Sequence, residues 1–428
     1  MTVVAWVAVA VFLTAYILIA TEWTHRVTAA VGGAAVMLLI GATDAEHAFF
    51  SSESGIDWNV VMLLIGMMLI VSVLRRTGVF EYLAIWAVKR ARGRPYPVMA
   101  ILVVITAVAS AGLDNVTTVL LVAPVTLLVC SRLGLPAAPF LIAEAMASNI
   151  GGTATLIGDP PNIIIAGRSG LTFNDFLNVL APIVVVLLVV FLGLCRWLFR
   201  RAFSSDNSDI ASLMAMRERD TIKDVRLLTI GVIVLGVVLV AFVLHPVLHL
   251  EPSVVAIVGG LVLLALSRLD AQEVARDVEW PTLVFFAGLF VMVGALVNTG
   301  AIEALSTAAT EATDGRLWAT TLLLLWASAG LSAVVDNIPY VATISPVVRD
   351  LVDASGTAQG NVLWWSLALG ADLGGNATAV GASANVVVLG IADRYGHHIS
   401  FWEFTKFGLV VTVITVALCT PYLYLRFF

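Results

Sequence analysis

Long apolar runs recur along the whole chain, and this pattern restricts the fold more than any other feature of the sequence. Runs such as Val3–Ala20, Trp58–Leu74 and Leu227–Leu244 approach the length of about 20 residues that an α-helix needs to cross a bilayer. Charged residues make up 12% of the 428 residues, about half of the roughly 25% that is usual in soluble proteins. The short segments of alternating polarity that are typical of a membrane β-barrel are absent from this sequence. These features predict an all-α polytopic membrane protein.

One long hydrophilic stretch divides the apolar segments into two groups. We predict a first unit at residues 1–199, a cytoplasmic linker at residues 200–226 and a second unit at residues 227–428. Each unit contains an apolar hairpin with a polar centre, followed by a helix that is interrupted by glycine, proline or small polar residues. The hairpins are expected at about residues 97–131 and 317–348, and the broken helices at residues 137–166 and 361–392.

The two units repeat each other at a nearly constant spacing. The stretch IDWNVVMLLIGMMLIVSVLRRTGVFE (residues 56–81) aligns with VEWPTLVFFAGLFVMVGALVNTGAIE (residues 278–303) at an offset of 222. NIGGTATLIGDPPNIII (residues 149–165) aligns with DLGGNATAVGASANVVV (residues 372–388) at an offset of 223. We expect five crossings and one re-entrant hairpin in each unit, and because five is odd the second unit is inverted relative to the first. Inverted repeats with broken helices are typical of secondary transporters, whose substrates bind near the bilayer midplane.

The positions of lysine and arginine predict the orientation. Cytoplasmic loops carry the excess of basic residues, and 19 of the 23 basic residues fall on one side of the predicted topology. We therefore place that side in the cytoplasm and both termini outside it, in the cell (inner) membrane. The first apolar run has no basic region before it and no small-residue cleavage site, so it is interpreted as the first span. The four basic residues on the outer side are Arg168, Arg316, Arg349 and Arg426.

The interrupted helices carry residues that are suited to binding a small solute or ion. Proline and glycine interrupt helices, and unwound backbone persists inside a membrane only where protein or water covers it. The free N–H and C=O groups at half-helix ends can hold an ion without a charged side chain. A simple packing kink is the alternative, and it is less favoured because both units have a break. The predicted binding residues are Asn149, Gly152, Thr153, Gly158, Asp159 and Asn162 in the first unit, and Asp372, Asn376, Thr378, Ser383 and Asn385 in the second.

Each hairpin has an aspartate at its centre, Asp114 in the first and Asp336 in the second, followed by Asn115 and Asn337. A carboxylate inside the membrane is costly unless it is paired, protonated or hydrated, and it indicates function by default. We predict that these four residues, with Thr117, take part in binding a coupling ion, either H⁺ or Na⁺. The alternative is that each aspartate only caps the helix that follows it, and the two roles are compatible. No resident metal or organic cofactor is expected.

The motifs at the first hairpin and break resemble a known family. GLDNVTTVLLVAPVTLL (residues 112–128) followed by AEAMASNIGGTATLIGDPPNIII (residues 143–165) closely resembles the P-protein (pink-eyed dilution) and arsenite-permease branch of the ion transporter superfamily. The resemblance covers nearly the whole chain, and its LIGDPPN core is specific to this branch. It implies a homodimer in which a scaffold region supports a mobile transport region, built from the hairpins and broken helices, that moves as an elevator.

Within the wider superfamily, the resemblance also includes sodium-coupled dicarboxylate carriers and sodium/proton antiporters. The dicarboxylate carriers have a Ser-Asn-Thr motif at each hairpin tip, where this chain has Asp114-Asn115-Val116 and Asp336-Asn337-Ile338. This departure argues against simple dicarboxylate binding and suggests that side-chain carboxylates take part in ion coupling.

We therefore predict a secondary active transporter that exports a small inorganic solute, most simply arsenite or antimonite, against protons. Arsenite is a neutral hydroxylated acid at physiological pH, which suits recognition by asparagine, threonine and aspartate. The three cysteines lie far apart and offer no thiolate cluster. The first alternative is a Na⁺/H⁺ antiporter, and a transporter or channel for another small anion or carboxylate stays open.

An enzyme is not expected. Paired aspartates in a membrane invite comparison with intramembrane aspartyl proteases, but the sequence has no Tyr-Asp pair. The chain also has no nucleotide-binding motif, so ATP-driven transport would require a separate soluble ATPase as a partner. The expected partners are the small solute or ion, the lipid bilayer and a second copy of the chain, and not a nucleic acid.

Overall fold

A computed structural model of the protein describes residues 2–21, 23–51, 54–203, 218–313, 315–356 and 358–428. Within these ranges the regular structure is helical and no β-strand occurs. Seven of the described helices are long and apolar enough to cross a membrane, and four shorter apolar helices accompany them. The prediction of an all-α multi-pass membrane protein is confirmed.

The described part of the first unit contains ten α-helices, followed by one short 3-10 helix at Arg200–Phe203. Residues 204–217 of the predicted linker lie outside the described residues. The helices are α1 (Val3–Ala20), α2 (Arg26–Leu39), α3 (Ala45–Phe50), α4 (Trp58–Arg75), α5 (Val79–Arg90), α6 (Pro95–Gly112), α7 (Asn115–Leu133), α8 (Ala137–Gly152), α9 (Pro160–Ser169) and α10 (Phe173–Leu198).

The second unit is preceded by a 3-10 helix at Glu218–Thr221, and another lies at Ala358–Asn361. Its described α-helices follow in the same general order of long and short elements. They are α11 (Val225–Val243), α12 (His245–Leu248), α13 (Pro252–Ser267), α14 (Ala271–Asp277), α15 (Trp280–Asn298), α16 (Ala301–Ala312), α17 (Leu317–Ser332), α18 (Asn337–Ser355), α19 (Val362–Gly374), α20 (Ser383–Arg394) and α21 (Phe401–Phe427).

Local sequence signals set many of these boundaries. Asp57 accepts hydrogen bonds from the backbone N–H groups of Asn59 and Val60 and so begins α4. Gly78 and Gly300, which the 222-residue offset relates, precede α5 and α16 with φ values of 79° and 75°. Only glycine adopts this left-handed conformation without steric cost. The matching glycines therefore give the chain the same sharp turn after a long helix in both units.

The helices pack in two sets. In the first set, α13 lies along α4 and α2 lies along α15, with α1 and α11 beside them. In the second set, each hairpin packs against the broken helix of its own unit, α6 and α7 against α8, and α17 and α18 against α19. The second set contains the hairpins and broken helices that the resemblance assigns to a transport region, and this assignment stays a prediction. The inverted relation of the two units and the elevator motion stay predictions.

Both broken helices are anchored to a hairpin by a threonine. The Thr155 hydroxyl donates to the backbone carbonyl of Ala111 at 2.5 Å. The Thr378 hydroxyl donates to the carbonyl of Ala333, also at 2.5 Å. Each bond joins the irregular segment between two half-helices to the end of the first hairpin helix. The hairpin tips and the two breaks are thereby held together in the interior of the protein.

Candidate functional site

The two hairpin aspartates lie immediately before the second helix of their hairpins and cap it. Asp114 accepts a hydrogen bond from the backbone N–H of Thr117 at 2.7 Å and a second from the Thr117 hydroxyl. Asp336 accepts one from the backbone N–H of Ile338 at 3.1 Å and one from the hydroxyl of Ser383 on α20. The capping role is therefore present at both tips. At Asp336 the carboxylate also connects the second hairpin to the second broken helix.

Asp159, which ends the first break, is the point where the two hairpins meet. The side-chain amide of Asn115 donates to Asp159 Oδ2 at 2.9 Å. The amide of Asn337 lies 3.3 Å from Oδ1 and 3.4 Å from Oδ2 of the same carboxylate. All three side chains are buried. One carboxylate thus receives an amide from each hairpin tip, at the centre of the second set of helices.

Asn149 joins the two broken helices to each other. Its side-chain amide donates to Asn376 Oδ1 at 3.0 Å and to Asn385 Oδ1 at 3.1 Å. Its own Oδ1 accepts a hydrogen bond from Asn115 at 3.2 Å. Asparagine can donate and accept at once, and here this property builds a continuous amide network between both breaks and the first hairpin.

The breaks themselves are held open by equivalent asparagines. The Asn162 amide donates to the Thr155 carbonyl at 3.0 Å and lies 3.4 Å from the Thr153 carbonyl. The Asn385 amide donates to the carbonyls of Gly375 and Thr378 at 2.7 and 2.9 Å. These bonds satisfy backbone acceptors that a continuous helix would have paired internally.

Gly152 and Gly158 allow the first break to close on itself. A Cβ atom on Gly152 would lie 2.6 Å from the Gly158 carbonyl oxygen, and one on Gly158 would lie 2.5 Å from the Gly152 carbonyl oxygen. Neither position has room for a side chain. The close backbone approach brings the start of α9, and with it Asp159, next to the end of α8.

Several buried polar atoms at this centre have no hydrogen-bond partner. Both carboxylate oxygens of Asp372 are unpaired although Thr153 and Asn162 lie beside it. Those neighbours direct their donors elsewhere, Thr153 to the Asn149 carbonyl and Asn162 to the backbone of the break. Buried polar atoms are nearly always paired, so a cluster of exceptions needs an explanation. The unpaired atoms of the site are Asp372 Oδ1 and Oδ2, Asn115 Oδ1, Asn162 Oδ1 and Asn376 Nδ2.

Four carboxyl groups share this region, and their charges would repel one another if all were ionised. A cation from the first set of helices lies close to one of them. Arg26, at the start of α2, donates from Nη1 to Ser383 Oγ at 3.0 Å and from Nη2 to Thr282 Oγ1 at 3.3 Å. Its charge also acts on Asp336. The four carboxyl groups belong to Asp114, Asp159, Asp336 and Asp372.

A cavity of about 740 Å³ leads from the surface to this site. A smaller cavity of about 330 Å³ lies against the first break and the starts of α4 and α13. The larger cavity lies at the start of α2, whereas the smaller one is lined by the starts of α4 and α13 and by no residue of α2. Of the two, only the larger is lined by a carboxylate of the site. Its lining includes Trp23, Arg26, Val116, Phe285, Asp336 and Ser383.

Two residues of the larger cavity and one buried carboxyl residue outside the site were missed by the sequence analysis. Arg26 and Glu279 line the larger cavity. Both resemble ordinary charges at the ends of spans, and no local signal separates them from such charges. Glu144 lies inside α8 and is 1% exposed; a lone carboxyl residue inside an apolar segment is the signal that could have identified it. Every residue predicted for the site lies at the hairpin tips, in the breaks or on the helix turns next to them.

The family follows from a comparison with known proteins. Residues 16–370 match the citrate transporter family CitMHS. The chain belongs to this family. An uncharacterized transporter of Mycobacterium tuberculosis is 54% identical to the chain over 423 residues, 99% of each protein. A 46 kDa membrane protein of Mycobacterium leprae is 53% identical over 425 residues, 98% of each protein.

The P protein of Homo sapiens is 34% identical to this chain over 499 aligned positions. The alignment covers 96% of this chain and 59% of the P protein. The expected membership of the P-protein branch is confirmed. The crystal structure of the Alcanivorax borkumensis YdaH transporter superposes on this chain with a TM-score of 0.60 and a sequence identity of 15%. The superposition covers 91% of this chain and 87% of that structure. This likeness concerns the fold. The prediction of a membrane transporter rather than an enzyme is confirmed by the family and by the uncharacterized transporters related to the chain.

Proposed function

We propose that the protein is a secondary active transporter that exports a small hydroxylated inorganic acid, arsenite or antimonite, coupled to protons. The observation that carries the proposal is the excess of unpaired acceptors at the centre of the site. Four oxygen atoms lack a donor, two of Asp372 and one each of Asn115 and Asn162, against one nitrogen of Asn376 that lacks an acceptor. A ligand that brings several O–H donors would pair them.

A neutral trihydroxy acid has this chemistry. Its three hydroxyl groups can donate to carboxylate and amide oxygens and can accept from the Asn376 amide. A multiply charged carboxylate such as citrate brings acceptors and negative charge to a site that already contains four carboxyl groups. That combination leaves the unpaired oxygens unsatisfied and adds repulsion. The donor and acceptor balance therefore supports a neutral hydroxylated solute over a free carboxylate anion.

The carboxyl groups also support cation coupling. Ionised carboxylates that lie close together inside a membrane need protons or bound cations. Asp159 is the best placed to sense the transport cycle, because it binds Asn115 of one hairpin and Asn337 of the other. Movement of either hairpin changes the hydrogen bonding of this carboxylate, and with it the free energy of binding a proton.

The two cavities support alternating access. With the predicted orientation the larger cavity opens to the cytoplasm and reaches Asp336 and Ser383. The smaller one, which the same orientation places on the outer side, is lined by Leu156 and Ile163 of the first broken helix. The solute would enter from the cytoplasm in this conformation and leave through the opposite side after the second set of helices has moved. A homodimer, the cell membrane location and external termini belong to the same proposal, and a soluble ATPase partner is not required by it.

A Na⁺/H⁺ antiporter is the second candidate function, and one observation favours it. The same unpaired acceptors are oxygen atoms around carboxylates, and hard cations are held in proteins by such oxygen ligands. Sodium at Asp372 and Asn162, or at the hairpin residues Asp114, Asn115, Asp336 and Asn337, would neutralise part of the negative charge. Arsenite would then not be a substrate.

The experiment compares solute accumulation and proton flux in inside-out membrane vesicles that are energised by an imposed pH gradient. We expect the wild-type protein to accumulate arsenite only with the gradient, and Asp159→Asn to lose this accumulation at least ten-fold. Asp44→Asn, at a side chain that is 65% exposed on the predicted outer loop, is the matched control and should transport normally. Folded wild-type protein that moves no arsenite but shows Na⁺-dependent proton flux would replace the proposal with the antiporter.

A further inference from the structure

Glu144 is a buried carboxyl group that the central site does not use. It lies in α8, two turns from its start, and is 1% exposed. Its Oε1 accepts a hydrogen bond from the Thr126 hydroxyl of α7, and its Oε2 has no partner. Among the described residues, no basic group contributes to its electrostatic surroundings. An ionised carboxylate in such a place costs several kcal/mol, whereas a neutral carboxylic acid costs far less.

Polar side chains also lie along the two helices between Glu144 and the central site. Ser148 follows Glu144 by four residues and so lies on the same face of α8. The Ser148 hydroxyl donates to the Asn115 carbonyl at 2.9 Å, and the Asn115 amide binds Asp159. On the facing helix α7, the hydroxyl of Thr118 is buried without a partner, between Asn115 and Thr126. At a rise of about 1.5 Å per residue, Glu144 is within about 10 Å along α8 of the amide network.

The second unit has no polar counterpart of the Glu144–Thr126 pair. The offset of 223 places Leu367 at the position of Glu144, and the offset of 222 places Val348 at the position of Thr126. Both residues are fully buried. Buried aliphatic residues therefore occupy both corresponding positions, one in the hairpin and one in the broken helix. Because packing does not require a carboxyl group there, the Glu144–Thr126 pair needs a different reason.

We propose that Glu144 is a second proton-binding site of the transport cycle, separate from the four aspartates. In the conformation described, the side chain holds its proton in the seam between α7 and α8. When that seam is hydrated during the cycle, the carboxyl group releases the proton to water, and it recovers one from water on return. The step makes and breaks only the O–H bond, so it needs no other reactant. The inference rests on the proton coupling proposed above, and not on the identity of the solute.

The first test reads the protonation of Glu144 directly, without any substrate. Infrared difference spectra of the purified full-length protein in lipid vesicles compare the wild type with Glu144→Gln across a range of pH. We expect the wild type to show the C=O stretch of one protonated carboxylic acid that the variant lacks at neutral pH. If the variant loses only carboxylate bands at neutral pH, Glu144 is ionised there and the proposal is overturned.

The second test measures how many protons move with each solute, in vesicles that contain the wild type, Glu144→Gln or Glu144→Leu. The leucine variant copies the aliphatic residue of the second unit and controls for packing, and thermal unfolding of each purified variant checks the fold. We expect both variants to fold and the proton-to-solute ratio to fall by about one. An unchanged ratio and pH profile in folded variants would mean that the carboxyl group is structural only.

The two proposals fail in different ways. If the wild type moves no arsenite, the solute assignment fails, and the infrared spectra together with Na⁺-driven proton flux still test Glu144. If arsenite transport is proton-coupled and Glu144→Leu leaves the coupling intact, only the present inference fails. Thr126→Val, which copies the second unit at the partner position, should shift the infrared band of Glu144 without removing it, because the acid loses its one hydrogen bond but keeps its burial.

Discussion

Gly151 lies where the backbones of α8 and α6 are in close contact, and Gly151→Ala should loosen the fold around the site. A Cβ atom at this position would lie 2.1 Å from the carbonyl oxygen of Ala107 and 2.5 Å from its Cα atom. Unstrained contacts between carbon atoms lie at about 3.5–4.0 Å, so the two helices must separate by about 1 Å or more. The obstacle is backbone, and no side-chain rotamer can relieve it.

The cost follows from what the separation breaks. Overpacking of a buried position costs about 1–3 kcal/mol. The Ser110 hydroxyl donates to the Ser148 carbonyl at 2.7 Å across the same helix pair, and losing a buried hydrogen bond adds about 0.5–1.5 kcal/mol. We therefore expect Gly151→Ala to lower the free energy of unfolding by about 2–4 kcal/mol. The loss should be accompanied by weaker solute binding, because Asn149 lies half a turn away on α8.

Equilibrium unfolding of the purified protein in mild detergent measures this change. Gly193→Ala on α10 is the matched control, because a Cβ atom there meets no other heavy atom within 4 Å. Alanine is a better helix former than glycine by about 0.5–1 kcal/mol, so the control should be neutral or more stable. Equal effects of the two substitutions, or a loss below about 0.5 kcal/mol for Gly151→Ala, would refute the close crossing of α6 and α8.

Two further predictions concern residues in the segments that connect the predicted spans. Burial alone would raise the pKa of Asp277, but hydrogen bonds from Ser72 and Arg76 outweigh the effect of burial and leave the pKa below its ordinary value. The ionised Asp277 therefore stabilises the fold above about pH 4. This stabilisation is lost as the pH falls through the lowered pKa. Asp277→Asn should therefore be less stable than the wild type at neutral pH by no more than about 1 kcal/mol, because the pair is partly solvated, and the difference should vanish in acid unfolding measurements. The predicted orientation places His47 outside and His397 in the cytoplasm. A membrane-impermeant maleimide should therefore label His47→Cys in intact cells and His397→Cys only in inside-out vesicles, with little background because the native cysteines are buried. Labelling of both variants from one side would overturn the predicted orientation.

The helices and their breaks could be predicted because their signals are local. The length of an apolar run predicts a span, and Pro160 with Gly158 predicts an interruption wherever it lies in the fold. The aspartate at the tip of each hairpin was likewise visible, since a carboxylate in an apolar segment must have a reason. These properties depend on neighbours within a few residues, which the sequence displays directly.

The partners of the site residues could not be predicted in the same way. Asp159 binds amides that lie 44 and 178 residues away in the chain, and Arg26 reaches Ser383 across 357 residues. The sequence predicts Asp114, Asp159 and Asp336 as site residues, but it does not indicate that Asp159 lies between both hairpins. Such pairings depend on how the two sets of helices pack.

The sequence by itself determined a membrane protein with two similar units, each with a hairpin, a helix break and a carboxylate. It could do so because helix length, helix interruption and the presence of a charge in an apolar segment all depend on consecutive residues. Only the tertiary structure decided which acceptors stay unpaired, which cavity reaches a carboxylate and which unit keeps a buried acid at Glu144. The physical reason is that hydrogen-bond satisfaction belongs to groups brought together from distant parts of the chain, and the two units, alike in backbone, differ in the side chains that meet there.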